Sequence, residues 1–303
     1  MLAVLLRFSS VVLFAIMSTG VKYLSGASPV GQIIAARSAI GAAAIVLIAW
    51  RTQSLHLLRT ERWHSHALRS SVGMLAMFSW FLSLNFAPIA EATAVVYAGP
   101  VFGTLLAALF LREHMRAHRW VAVALGFSGV FIMTGARVAH SDAEALGISL
   151  ALLCALFAAF GMIFLRQMSR TEHALTTTFY FCLTSLAGAA LTACWGWSIP
   201  SARQCELLVV IGLLGTAAQF LMTASFRYAE ASIVVPIEYT GIVVVTVLGY
   251  VFFREVPGVS VWVGVPLVIA AGLLIVWGES KSGLARECAR TQRATCGPRT
   301  PVR

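Results

Sequence analysis

The chain has 303 residues, of which 59% are hydrophobic and only 11% are charged, and its mean hydropathy is +0.85. Since about a quarter of the residues in a soluble globular domain are charged, this composition excludes a soluble protein and indicates a polytopic membrane protein. The formal net charge of +10 does not indicate nucleic-acid binding, because the basic residues fall in short gaps between apolar segments and in the tail. Basic residues in those places orient a chain in a membrane.

Ten apolar segments follow one another along the chain. About 20 apolar residues cross a hydrocarbon core of roughly 30 Å as a helix, whereas the strands of a membrane barrel are shorter and alternate in polarity. We therefore predict an all-α polytopic membrane protein with ten transmembrane helices. The predicted spans are 3–24, 29–50, 69–88, 91–111, 119–136, 146–166, 174–197, 205–228, 231–253 and 258–278, followed by a disordered basic tail at 281–303.

The lysines and arginines are distributed unevenly between the two sides of these spans. With the N-terminus inside, sixteen of them lie in cytoplasmic connections or the tail, including Arg59, Arg69, Arg116 and Arg170, and only four lie on the opposite side. Cytoplasmic connections carry an excess of basic residues. This distribution predicts that both termini are cytoplasmic.

Two segments of the sequence are repeated. AEATAVV at residues 90–96 matches AEASIVV at 229–235 in five of seven positions, and YAGPVFGTLLAALFLRE from Tyr97 matches YTGIVVVTVLGYVFFRE from Tyr239 in eight of seventeen. We therefore predict two repeats of five spans each, at 1–139 and 146–280. Because five is an odd number, the second repeat is predicted to be inverted. Many secondary transporters have this arrangement, with the substrate site near the bilayer midplane.

Two charged residues lie about eight residues from the start of predicted spans, Arg37 in the second and Glu238 in the ninth. A charge at the bilayer centre costs at least ~2.5 kcal/mol, so a functional role is the first hypothesis. Arg37 can hold a carboxylate through two parallel hydrogen bonds, and Glu238 can hold a proton or an organic cation. Two alternatives stay open: the two residues neutralise each other, or Glu238 is purely structural. Pro236 and Pro100 are expected to loosen the helices around them.

Five aromatic and amide side chains on the predicted spans are candidates for lining a substrate cavity, although aromatic residues at helical spacing more often serve packing. They are Trp80, Tyr97, Tyr180, Gln219 and Tyr239.

The sequence contains no nucleophile elbow, HExxH motif, phosphate-binding glycine loop or pair of acids that would indicate an enzyme. All seven histidines lie outside the predicted spans or at their edges. His114 and His118 are four residues apart, but they fall in a short basic connection and are expected to be solvated. The six cysteines form no CxxC pair. We therefore expect no cofactor and no metal site.

The combination of these features resembles the EamA branch of the drug/metabolite transporter superfamily over residues 1 to about 280. The features are the ten spans, Arg37 in the second, AEATAVVYAGPVF running to LRE in the fourth, and AEASIVVPIEYTG running to GYVFFRE in the ninth. The resemblance implies a secondary transporter of the bacterial cytoplasmic membrane, often an exporter, that works by alternating access. The PIEYTG segment resembles members that carry S-adenosylmethionine, riboflavin or amino-acid-derived metabolites, including exporters of amino-carboxylate metallophores.

We therefore expect an exporter of a small amino-acid-derived or zwitterionic metabolite, with protons as a candidate coupling ion. The expected partners are this small molecule and the lipid bilayer, and a homodimer is left open. An uptake carrier for S-adenosylmethionine or riboflavin is the first alternative. An intramembrane enzyme or lipid-handling protein, or a structural subunit of a larger complex, are alternatives from other classes.

Overall fold

The structure is a computed structural model that describes residues 2–111, 117–138, 141–168, 171–228, 237–275 and 277. Every regular element within these ranges is helical, which confirms the predicted all-α class. The α-helices are α1 (Leu2–Ser25), α2 (Val30–Arg51), α3 (Trp63–Phe86), α4 (Ile89–Val96), α5 (Gly99–Leu111), α6 (Ala117–Val138), α7 (Asp142–Met168), α8 (Ala174–Ala190), α9 (Ala202–Tyr228), α10 (Thr240–Phe253) and α11 (Val259–Ile275). Leu55–Leu58 and Leu191–Trp195 form short 3₁₀ segments.

Six of the described helices are long and apolar enough to cross a membrane, which makes the chain a multi-pass membrane protein. They are Leu2–Ser25, Val30–Arg51, Trp63–Phe86, Asp142–Leu165, Ala174–Cys194 and Ala202–Tyr228. Four further apolar helical stretches of the described residues are shorter: Ile89–Gly103, Trp120–Met133 within α6, Thr240–Phe253 and Val259–Ile275. The shorter helices coincide with the fourth and fifth predicted spans of each half. The count of ten spans stays a prediction, because six helices of the described residues meet the length and hydropathy of a full crossing.

The main helix pairs join the first half of the chain to the second. Helix α1 packs along α9, α3 along α7, and α2 against α8. Helix α1 also contacts α10, and α4 and α5 contact α7. The two halves correspond helix by helix, α1 to α7, α2 to α8 and α3 to α9. When the halves are exchanged, the pair of α1 and α9 therefore becomes the pair of α7 and α3, and the pair of α2 and α8 is unchanged. The apolar core therefore lies between the halves and is built from both.

The fourth span of the first half is interrupted at its centre. Tyr97 and Ala98 form a turn between α4 and α5, and Tyr239, which is the equivalent residue of the second repeat, is a turn residue directly before α10. Pro100 lies in the first turn of α5, where its missing N–H costs no helical hydrogen bond. Pro236 lies outside the described residues. The two repeats thus share a tyrosine at a break in the helix.

Glu255, which follows α10, connects three helix ends. Its carboxylate accepts a hydrogen bond of 2.9 Å from the N–H of Ile89 at the start of α4, where the helix dipole favours an acid. It also pairs with the ammonium group of Lys22 at the end of α1. Lys22 donates a further hydrogen bond of 3.0 Å to the carbonyl of Ala87. These contacts join the second half to the first at one end of the bundle.

Helices α6 and α11 approach each other closely at two glycines. A Cβ atom on Gly129 would lie 2.8 Å from the carbonyl oxygen of Gly264, and one on Gly264 would lie 2.6 Å from that of Gly129. Neither position has room for a side chain. The glycines therefore serve close backbone packing, as small residues do between membrane helices.

Candidate functional site

A cavity of about 250 Å³ lies between the two halves of the bundle. Helices α1 to α4 line it from the first half, and α7 to α10 line it from the second. Most of the lining is apolar. The polar side chains that reach it include Arg7, Ser18, Arg37, Trp80, Thr93, Tyr97, Gln219 and Glu238. A largely apolar cleft with a few polar groups between bundle helices is the usual form of a small-molecule site.

Glu238 forms an ion pair with Arg7 of α1. The Nη2 atom of Arg7 lies 2.8 Å from Oε2 of Glu238, and the guanidinium carbon lies 5.6 Å from the centroid of the Phe226 ring. The Arg7 side chain is 2% exposed, whereas Glu238 is 30% exposed and faces the cavity. The acid is thus the accessible member of the pair. This contact resolves the alternative in which Glu238 pairs with Arg37, since the partner is Arg7.

Arg37 also lines the cavity, but it has only weak partners. Its Nη1 donates to the thioether sulfur of Met77 at 2.9 Å and its Nη2 to the carbonyl of Gly215 at 3.3 Å, while Nε has no partner among the described residues. The guanidinium carbon lies 5.8 Å from the centroid of the Phe181 ring. The three ion pairs within the described residues involve other groups. Arg37 is only 3% exposed, so it holds a buried charge that no carboxylate compensates there.

The lack of a side chain at residue 215 makes room for this guanidinium. A Cβ atom on Gly215 would lie 2.5 Å from Nε of Arg37 and 2.7 Å from the sulfur of Met17. The Arg37 side chain of α2 therefore packs directly against the backbone of α9. This contact fixes the guanidinium at the cavity wall.

Trp80 and Gln219 line the cavity with Arg37. The indole N–H of Trp80 donates to the hydroxyl of Ser18 at 3.1 Å. The amide nitrogen of Gln219 is buried and has no partner among the described residues. An unsatisfied buried amide costs free energy of about 1–3 kcal/mol. The site thus holds an unused hydrogen-bond donor as well as an uncompensated cation.

The three candidate tyrosines lie in different places. Tyr97 lines the cavity. Tyr239 does not line it but packs behind Tyr97, with its ring edge to face at 5.8 Å between centroids. Tyr180 does not line it either, because its ring lies against His66, with the centroids 4.8 Å apart. The structure therefore brings Arg37, Glu238, Trp80, Tyr97 and Gln219 together and leaves Tyr180 and Tyr239 outside the cavity.

The model of the EamA-like transporter family matches this chain twice, at residues 1–135 and 145–277. The chain belongs to the EamA-like transporter family. The predicted resemblance is confirmed, and the relatives of this EamA-like chain are transporters of the drug/metabolite type.

Relatives of this EamA-like chain are named for different substrates, one as an exporter and one as an uptake transporter. A pseudopaline exporter of Pseudomonas aeruginosa is 30% identical over 279 residues, covering 91% of this chain and 92% of that protein. An S-adenosylmethionine uptake transporter of Rickettsia prowazekii is 30% identical over 225 residues, covering 74% and 76%. A riboflavin transporter of Rhizobium johnstonii is 29% identical over 229 residues, covering 75% and 74%.

A protein of known crystal structure also has the fold of the EamA-like chain. The two superpose with a TM-score of 0.64 at 22% sequence identity, covering 90% of this chain and 96% of the other. At this identity the likeness concerns the fold alone.

Sequence reasoning missed Arg7 as a site residue of the EamA-like chain. Of the 22 lysines and arginines, twenty were accounted for by the ends of spans and the tail, so that only Arg7 and Arg37 were left inside predicted spans. The same argument that selected Arg37 therefore applies to Arg7. Arg7 was not selected because it lies near the start of the first predicted span.

The start of α3 differs from the prediction. The third span was predicted to begin at residue 69, with Arg69 among the cytoplasmic basic residues, whereas α3 begins at Trp63. His66 and Arg69 are consequently buried. His66 Nε2 lies 3.2 Å from Oε2 of Glu172, which ties α3 to the connection between α7 and α8.

No group of three or more His, Cys, Asp and Glu side chains is placed to hold a metal ion in the part of the chain that the structure describes. His114 lies outside that part, and the side chain of His118 is not described.

Proposed function

We propose that this EamA-like protein is a secondary-active transporter that exports a small amino-acid-derived or zwitterionic metabolite across the bacterial cytoplasmic membrane by alternating access. The observation that carries the proposal is the buried guanidinium of Arg37, which lines the cavity without a carboxylate partner among the described residues. A desolvated charge of this kind costs several kcal/mol unless it is paired. A carboxylate of the substrate supplies the missing partner.

The cavity offers separate partners to the two ends of a zwitterion. Arg37 binds the carboxylate, with two of its nitrogens able to hold both oxygens. Glu238 binds the ammonium group or a proton, each of which competes with Arg7 for the acid. Trp80, Tyr97 and Gln219 complete the lining and supply the neutral hydrogen-bond donors.

Coupling of transport to protons follows from the ion pair between Arg7 and Glu238. When Glu238 takes up a proton, its attraction to Arg7 is lost, and the contact between α1 and the segment that precedes α10 weakens. These elements belong to different halves of the chain. Protonation of Glu238 therefore favours a rearrangement of one half against the other, which is the movement that alternating access requires.

We also propose the inverted-repeat arrangement of ten spans, with repeats at 1–139 and 146–280 and both termini in the cytoplasm. The double family match supports the duplication. The helix pairs that recur when the halves are exchanged support a two-fold relation between them.

Uptake of S-adenosylmethionine or of riboflavin is the alternative within the same class, since one relative is named an S-adenosylmethionine uptake transporter and another a riboflavin transporter. The charges favour the first proposal. Arg7 already neutralises the one acid that lines the cavity in the described residues, so the free charge of the site is positive. A substrate with more cationic than anionic groups would find only Glu238 for its cations, and that acid already holds Arg7.

The proposal is tested by flux of radiolabelled glutamate and glutamine into vesicles that contain only the purified chain. Uptake or exchange that depends on the protein and is lost in Arg37→Gln is the expected result. An intramembrane enzyme or a structural subunit would give no flux, and that outcome would overturn the proposal.

The direction of transport is tested in cells with and without the gene. For an exporter, a carboxylate-bearing metabolite accumulates in the medium only when the gene is present. Depletion of a metabolite from the medium under the same comparison would instead establish uptake.

A further inference from the structure

A second buried guanidinium lies directly behind the wall of the cavity. The guanidinium carbon of Arg69 is 4.9 Å from the centroid of the Phe181 ring, and that of Arg37 is 5.8 Å from the same centroid. The two guanidinium groups cannot be farther apart than the sum of these distances. Phe181 lines the cavity, and Arg69 does not. One aromatic side chain thus lies between the cavity and the second cation.

Arg69 lacks a carboxylate partner in the described ranges. It is 4% exposed, and its Nε and Nη1 atoms have no hydrogen-bond partner there. Glu172, the acid that joins α3 to the connection between α7 and α8, is held by His66. A cation–π contact offsets only part of the free energy that burying a cation costs. The charge of Arg69 is therefore only partly compensated.

The wall between Arg69 and the cavity is thin. Gly73 lines the cavity one turn further along α3. A Cβ atom on Gly73 would lie 3.0 Å from Cε2 of Phe181 and 3.5 Å from Nη1 of Arg69. Because residue 73 has no side chain, Nη1 of Arg69 comes close to the cavity surface. Phe181 is a lining side chain that contacts Arg69, so a rotation of its ring would bring this nitrogen toward a ligand in the cavity.

We propose that Arg37 and Arg69 together form a binding site for two anionic groups, and that the substrates of this carrier are small dicarboxylates, including amino dicarboxylates. This inference rests on the proposed transport function. Arg37 holds the first carboxylate in the cavity, and the second carboxylate displaces the Phe181 ring and engages Arg69. Since Arg7 and Glu238 neutralise each other, the two remaining guanidinium charges match a ligand that carries two negative charges.

Matched pairs of ligands test the proposal on the purified full chain in detergent. Glutamate and glutamine, and succinate and its monoamide succinamate, are nearly equal in size and differ by one carboxylate. Thermal stabilisation is measured as a function of ligand concentration. We expect the dicarboxylate of at least one pair to reach half-saturation at a concentration at least tenfold lower than its monoamide. If neither pair shows this preference, the dianion site is overturned.

Two variants test which arginine causes the preference for dicarboxylates over monoamides. Arg69→Gln is expected to remove the tenfold preference while the monoamide still binds, whereas Arg37→Gln weakens both members of a pair. Arg59→Gln, which removes an exposed arginine ahead of α3, is the charge-matched control and should keep the preference. Retention of the full preference in Arg69→Gln would overturn the proposal and leave Arg69 a merely structural residue.

A third variant decides the question if Arg69→Gln does not fold. Gly73→Ala keeps every charge but places a methyl group against Phe181 and Arg69, so it should weaken dicarboxylates more than monoamides. Equal weakening of both would contradict the second subsite.

If no carboxylate stabilises the native protein, the proposed function fails as well. If monocarboxylates and dicarboxylates bind equally and Arg37→Gln abolishes both, the proposed function stands and the dianion site fails.

Discussion

Arg7 and Glu238 form an ion pair of 2.8 Å between the first helix of the chain and the segment that directly precedes α10. The pair is asymmetric, since Arg7 is almost fully buried and Glu238 is partly exposed to the cavity. Any event that neutralises the acid therefore leaves a guanidinium charge in an apolar setting.

Glu238→Gln is expected to lower the thermal stability of the protein and to abolish flux driven by a pH gradient. The amide leaves the Arg7 charge without its carboxylate, at a cost of about 1–3 kcal/mol after allowance for the exposed side of the pair. The double variant Arg7→Gln/Glu238→Gln should melt above the single variant but carry no gradient-driven flux. Equal melting temperatures of Glu238→Gln and the native protein would show that the pair does not stabilise the fold.

Arg37→Lys is expected to weaken carboxylate binding by tenfold or more. Lysine keeps the charge but loses the planar fork that grips two carboxylate oxygens. The measurement is competition by unlabelled glutamate in vesicle flux. Arg51→Lys, at the exposed end of the same helix, is the matched control. Normal competition in Arg37→Lys would favour a role for the charge alone and exclude the bidentate contact.

Gly215→Ala is expected to reproduce the loss of carboxylate binding without removing a charge. The new Cβ atom would lie 2.5 Å from Nε of Arg37, so the guanidinium must move away from its position against the backbone of α9. Gly161→Ala is the control, because a Cβ atom there meets nothing within 4 Å and alanine favours a helix. Flux and binding should fall in the first variant and be unchanged in the second. Native behaviour in Gly215→Ala would mean that the position of Arg37 is unimportant.

Single cysteines at positions 59 and 141, introduced into a chain whose native cysteines are replaced by serine, test the orientation in the membrane. Arg59→Cys is expected to react with an impermeant thiol reagent only from the cytoplasmic side. Ser141→Cys is expected to react only from the opposite side, because the distribution of basic residues places these connections on different faces. Labelling of both cysteines from the same side would contradict the ten-span inverted arrangement.

Helix content, membrane insertion and family were readable from the sequence because each depends on properties of neighbouring residues. Runs of about 20 apolar residues determine where a helix can lie in a bilayer. The repeated segments that begin at Tyr97 and Tyr239 predicted a duplication without any knowledge of packing, and the family model matches the chain twice. The rarity of charge inside spans selected Arg37 and Glu238, and both line the cavity.

The partners of these charges were decided only by the tertiary structure. Arg7 and Glu238 are far apart in the chain, and whether they meet depends on how α1 and the segment before α10 are rotated and packed, which hydropathy does not report. The same reason explains why Tyr239 lies behind Tyr97 and why Arg69 is buried against Phe181 rather than solvated. A membrane helix is apolar on most of its faces, so its sequence carries little information on which face meets a neighbour, and side-chain packing between the two halves makes that choice.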